Sequence, residues 1–149
     1  MVVIRGFKGY RYNADKVRYQ NIITPPYDVI DADMKKQLAA SSPYNFVHVI
    51  LNKDHARSND LLNSMVNDGI LVQDNNDSLY VYEQQYTSHN KRYTRTGFIC
   101  LVKLEDFGKN ILPHERTFEK HIADRYDLMC KTKSDVGQIF LVYEDALWP

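Results

Sequence analysis

Ser78-Leu79-Tyr80-Val81-Tyr82-Glu83-Gln84-Gln85-Tyr86, followed by Ser88-His89-Asn90-Lys91 and then by Arg92 onward to Leu104, is the stretch that decides the fold class. Aromatic and β-branched residues recur through its two arms, and the four polar residues between them form a turn. An antiparallel hairpin of this kind does not belong in a doubly wound parallel sheet. Elsewhere strands and helices interleave irregularly, so the expected class is α+β, with a mixed, partly antiparallel sheet and three helices.

On the N-terminal side of the hairpin, Asp54 to Asn67 reads as a helix with Leu61, Leu62, Met65 and Val66 on its core face. Asp68-Gly69 ends it, because glycine enters the left-handed cap conformation without strain. Phe46-Val47-His48-Val49-Ile50-Leu51 is apolar and rich in β-branched residues, and is expected to be a buried strand. Asp31 or Asp33 caps a short helix through Leu38, which ends before Ser41-Ser42-Pro43. In Ile22-Ile23-Thr24-Pro25-Pro26-Tyr27-Asp28-Val29 two prolines predict a stiff loop that fixes the directions of Tyr27 and Asp28. Val2 to Tyr12 is a first strand and Gly137 to Tyr143 a last one.

With 149 residues and ordinary apolar and charged fractions, the chain is one globular domain able to bury a core. Lysine plus arginine equals aspartate plus glutamate, and the formal net charge is zero. That balance speaks against a duplex nucleic acid or an anionic membrane held by bulk electrostatics, while leaving room for a local basic pocket. Cys100 and Cys130 show no CxxC pairing and are expected as buried, reduced thiols. The start of the sequence has no signal-peptide pattern, and no apolar run reaches membrane-spanning length, so a soluble, cytoplasmic protein is expected.

The chemistry concentrates in Ile111-Leu112-Pro113-His114-Glu115-Arg116-Thr117-Phe118-Glu119-Lys120-His121-Ile122-Ala123-Asp124-Arg125. Pro113 suits the first turn of a helix, and Phe118, Ile122 and Met129 recur as an apolar stripe. Free backbone N–H groups around Glu115 to Thr117 would then form an anion site. Arg116 and Thr117 would add donors to phosphate oxygens, and Glu115 would serve as general base toward a hydroxyl. A solvated helix face accounts for the same charges, since charged faces are usually no more than that. A zinc site is not expected, because His114 and His121 are two turns apart, roughly 10 Å along a helix axis. No GxxxxGK[ST] or GxGxxG loop occurs. Asp28 is either a ligand or base held by its proline loop, or simply a turn former.

The segments Pro25-Pro26-Tyr27-Asp28-Val29, Pro43-Tyr44-Asn45-Phe46-Val47-His48-Val49, Asp68-Gly69-Ile70-Leu71-Val72-Gln73-Asp74, Tyr80-Val81-Tyr82, His114-Glu115-x-Thr117, Asp124-Arg125 and Gln138 to Tyr143 occur in this order. Together they resemble the bacterial uncharacterised domain family ten-fifteen, which in turn resembles the ParB/sulfiredoxin-like nucleotide-binding superfamily. Members of that family are longer, so the resemblance implies that residues 1–149 are the N-terminal part of a larger protein. It also implies a kinase that phosphorylates free L-serine or a similar small metabolite, with ATP or ADP as donor and magnesium. Glu115 would be base or metal ligand, and His114, Arg116 and Thr117 would hold phosphate. Asp124, Arg125 and the pair Tyr27 and Asp28 would complete the site. The alternative within the superfamily is a non-catalytic nucleotide-binding or interaction module.

Overall fold

The computed structural model describes residues 2–113 and 118–143. It is an α+β chain whose strands pair only as antiparallel ladders among those residues. β1 (Ile4–Arg5) pairs with β6 (Leu101–Val102), β2 (Tyr10–Tyr12) with β3 (Leu71–Gln73), and β4 (Tyr80–Ser88) with β5 (Lys91–Ile99). The helices are α1 (Ala32–Ser41), α2 (Val47–Ile50), α3 (His55–Asn67) and α4 (Glu119–Thr132).

The hairpin forms as expected. Tyr86 faces Tyr93 across it, and His89 and Asn90 turn the chain with φ of 48° and 60°. Two left-handed residues in succession suit the twist of the flanking strands. The first strand is split, because Phe7 bridges to Ser78 between β1 and β2. A Cβ on Gly6 would sit 3.0 Å from the Ser78 nitrogen, so glycine allows this close crossing.

Caps set both longer N-terminal helices. The Asp31 side chain accepts from the Met34 N–H to start α1, and Asp54 accepts from Ala56 and Arg57 to start α3. α3 ends at Gly69, whose φ of 65° and bonds from Gly69 and Ile70 N–H to Val66 and Met65 carbonyls close its last turn. Met65 is buried on the core face of α3, Leu61 and Leu62 pack beside it, and Val66 lies outside. The buried centre is Val49, Met65, Ile70 and Leu71, with Tyr12, Phe46 and Val136 packed around it.

Three expectations are corrected. The 46–51 segment is a helical turn rather than a strand. Buried Asn45 explains it: its Oδ1 accepts from the Val47 N–H, while its amide donates to the Asn21 carbonyl and to Ser41. An apolar run this short suits a buried helix as well as a buried strand, and the capping residue decides. Residues 137–143 form no ladder; Phe140 and Tyr143 meet Arg95 and Phe98 through side chains only. Cys130 is exposed and Cys100 half-buried, both as free thiols. Cys130 lies on the far side of α4 from Leu128 and Thr132, which are the residues that face the core.

Candidate functional site

α4 starts later than Pro113 implies. Its first helical residue is Glu119, and Phe118 is its extended N-cap without a side-chain hydrogen bond. His114, Glu115, Arg116 and Thr117 lie outside the described residues, and with them the expected phosphate-holding amides. The apolar stripe is also turned outward: Phe118, Ile122 and Met129 are exposed, while Leu128 is fully buried against the body of the protein. The helix therefore docks through Arg125, Leu128 and Thr132, a line at spacings of three and four.

That docking brings two sequence-predicted groups together. Pro25 and Pro26 lead into a 3₁₀ turn, Tyr27–Val29, which directs the Tyr27 ring toward α4. The Arg125 guanidinium carbon lies 4.5 Å from the centre of that ring, a cation–π contact. The same guanidinium donates to the Ile50 carbonyl at 2.9 Å and to the neighbouring Asp124 carboxylate. His121 completes the group, with its ring 6.4 Å from Tyr27 and 6.3 Å from Phe118. Asp28, next to Tyr27, is exposed and its side chain has no hydrogen bond or ion pair among the described residues.

Behind Arg125 stands a contact that sequence reasoning missed. His55 Nδ1 is 2.7 Å from Asp127 Oδ2, and its Nε2 is 3.6 Å from Asp124 Oδ1. The imidazole is largely buried, so the start of α3 is tied to two carboxylates one helical turn apart on α4. The available signal was the spacing of Asp124 and Asp127, which puts both on one face of a helix. Nothing in the sequence near His55 names its partners, because they lie far along the chain.

A second polar cluster lies where β2, β3 and β4 meet. Arg11 grips the Asp74 carboxylate through Nε at 3.0 Å and Nη2 at 2.6 Å, and Tyr80 donates to the same carboxylate at 2.7 Å. The Gly9 N–H donates to the Tyr80 oxygen at 2.7 Å, an approach that a side chain at Gly9 would block. Arg11, and secondarily Tyr80, hold the Asp74 carboxyl below the usual carboxylate value, while Asp74 pushes the Tyr80 phenol up. Two open hollows lie near these strands. One of about 450 Å³ is lined by Arg11, Asp74, Asn76 and Tyr80, and one of about 340 Å³ by Arg5, Leu101 and Lys103. Neither borders the Tyr27–Arg125 group.

The family described as "Protein of unknown function (DUF1015)" matches residues 4–147. The chain belongs to that family. Comparison with curated proteins and with solved structures gave no match. Within this DUF1015 chain the Tyr27–Asp28 and Asp124–Arg125 pairs are adjacent in space, and no described helix is long and apolar enough to cross a membrane.

Proposed function

We propose that this chain carries the nucleotide-handling site of a ParB/sulfiredoxin-like kinase that phosphorylates the hydroxyl of free L-serine or a similar small metabolite. The single observation that supports the reading most is the contact of Arg125 with Tyr27. It joins two of the segments to which the resemblance gives a role, at the middle of α4.

In this reading His114, Arg116 and Thr117 hold the phosphates of ATP or ADP. The substrate hydroxyl oxygen attacks the terminal phosphorus, its proton passes to the Glu115 carboxylate, and the bond to the nucleoside di- or monophosphate breaks. Positioning and charge neutralisation supply most of the acceleration of such a transfer. Tyr27 and His121 offer ring faces to a nucleotide base, and Arg125 fixes where Tyr27 stands. Magnesium, when bound, would neutralise phosphate charge. It usually takes only one or two protein carboxylates, so the lack of a three-ligand His, Cys, Asp or Glu cluster among the described residues does not conflict with it. Asp28, exposed and with an unpaired side chain among the described residues, has the right chemistry for such a carboxylate.

The test is incubation with L-serine, magnesium and either ATP or ADP, with O-phosphoserine followed by phosphorus NMR. Wild-type protein should form it, and Glu115→Gln should lower turnover by about 10²–10⁴-fold, the usual contribution of a positioned general base. Absence of product with both donors sinks the kinase.

A second reading, a non-catalytic nucleotide-binding or interaction module, draws on a specific observation. The Arg125 donors already face the Ile50 carbonyl and Asp124, which leaves this residue a strut rather than a phosphate hand. Calorimetry separates the two: saturable nucleotide binding without phosphoserine formation favours the module.

A further inference from the structure

The β4–β5 hairpin presents two faces of different chemistry. Residues paired across an antiparallel ladder share a face, so the register places Tyr82 opposite Gly97, Tyr86 opposite Tyr93, and Lys91 and Arg95 on that same side. Glu83 pairs with Thr96 on the other side, so no carboxylate of the hairpin lies among the tyrosines. The rings stay in contact with solvent: Tyr82, Tyr86 and Tyr93 are 43%, 39% and 42% exposed. Tyr86 and Tyr93 stack at 5.5 Å with planes 20° apart, and the Arg95 guanidinium lies 5.4 Å from the Tyr86 centroid and 5.0 Å from that of Phe140. Gly97 has nothing within 4 Å of the space a Cβ would fill, which leaves the Tyr82 ring open on the side of its partner strand. The side chains of Lys91 and Arg95 make no hydrogen bond or ion pair with a described residue, and the Arg95 guanidinium rests only on ring faces.

We infer that this tyrosine face binds single-stranded nucleic acid, its bases stacking on Tyr82 and Tyr93 and its phosphates meeting Lys91 and Arg95. Flat rings spaced along a sheet, with Arg95 in the row between Tyr82 and the Tyr86–Tyr93 pair and Lys91 just beyond that pair, match the alternation of bases and phosphates in an unpaired strand. The Asp74 carboxylate touches this face only at its Tyr80 end, where Arg11 already holds it. A protein partner fits less well, because it would have to bring both carboxylates for the two cations and flat groups for Tyr82 and Tyr93 at matching spacing, which a nucleic acid strand carries in every nucleotide. A duplex fits less well too, since its base faces are already stacked. The zero net charge of the chain is compatible with this, because only local charge is used and the affinity is correspondingly modest.

The test is fluorescence anisotropy of labelled twelve-residue oligo(dT) and oligo(U) titrated with the whole chain, with unlabelled duplex and free UMP as competitors. Saturable binding with a Kd of about 1–100 µM is expected. Two neutralised phosphates should make it roughly tenfold weaker between about 50 and about 300 mM salt. Tyr93→Ala should weaken binding by roughly tenfold. Tyr86→Phe keeps the ring and should bind like wild type. Arg95→Glu should abolish the signal, with circular dichroism checking that each variant is folded. No binding, equal binding by folded Tyr93→Ala, or equal competition by UMP or duplex overturns the inference. So does a Tyr86-dependent dimer seen by sedimentation in place of oligonucleotide binding. None of these readings involves serine or phosphotransfer, so the outcome is separable from that of the kinase test.

Discussion

Asp74 shows how much one side chain can organise in a small α+β chain. It accepts from Arg11 and Tyr80, and so fastens β2 to the turn after β3 and to the start of β4. Because those partners hold its carboxyl below the ordinary value of 3.8, the unfolded chain takes up that proton more readily than the folded one. The stability Asp74 contributes is therefore present above pH 3.8 and is lost as the pH falls through its lowered folded value. Asp74→Asn should lower Tm at neutral pH and flatten its decline in acid, as read from Tm measured against pH. A parallel shift with an unchanged acid limb would remove Asp74 from the titration. Arg125 makes the complementary case. Arg125→Ala would leave the half-buried Ile50 carbonyl without its donor, a loss of about 1–3 kcal/mol in urea denaturation. Arg125→Lys should recover only part of it, since an ammonium lacks the planar fork that reaches Ile50 and Asp124 together.

At the scale of elements, the helices were legible wherever a cap was. Asp31 and Asp54 stand one residue before α1 and α3, and Gly69 just past the end of α3, all as local rules require. Asp54→Ala should cost about 1 kcal/mol, because two N–H groups at the start of α3 lose their acceptor. Gly69→Ala should destabilise by about 1–2 kcal/mol through its positive φ. Chemical denaturation of each variant checks both values. The hairpin was legible for the same reason: alternation in its arms and turn residues between them are local signals. The 46–51 turn was not, because its apolar run carries no period and Asn45 reads as a loop residue until Asn21 and Ser41 are seen beside it. The face of α4 was misread because its most apolar line, Phe118, Ile122 and Met129, is the exposed one. Its buried line holds an arginine, whose guanidinium finds the Ile50 carbonyl only in the fold, and a threonine, whose hydroxyl donates back to the Leu128 carbonyl one turn earlier. Of the candidate site, the pairs Tyr27–Asp28 and Asp124–Arg125 were legible as motifs. The His55 bridge, which needs a contact across the chain, was not.

Over the whole molecule, the buried residues sort the chain into units of unequal stability. The fully buried side chains Val47, Val49 and Leu128 belong to α2 and α4, whereas β4 and β5 contain no buried residue. Local opening follows such differences, since segments with few buried apolar contacts exchange their amides at lower free energy. Amides of β4 and β5 should therefore exchange well before those of α3, whose face buries Met65 and packs on α4. Leu128→Ala tests the division. It should cost about 2–4 kcal/mol through the cavity it leaves. Its effect on hydrogen exchange should fall on α3 and α4, where His55 and Arg125 would lose their alignment with Asp124, and pass over the hairpin. Uniformly faster exchange along the chain would mean that hairpin and helices open as one unit. The tyrosine face could then not be altered without disturbing Tyr27 and Arg125. Selective loss would mean instead that the two surfaces are carried on separately yielding parts of one chain, so that each can be tested by substitution while the other stays intact.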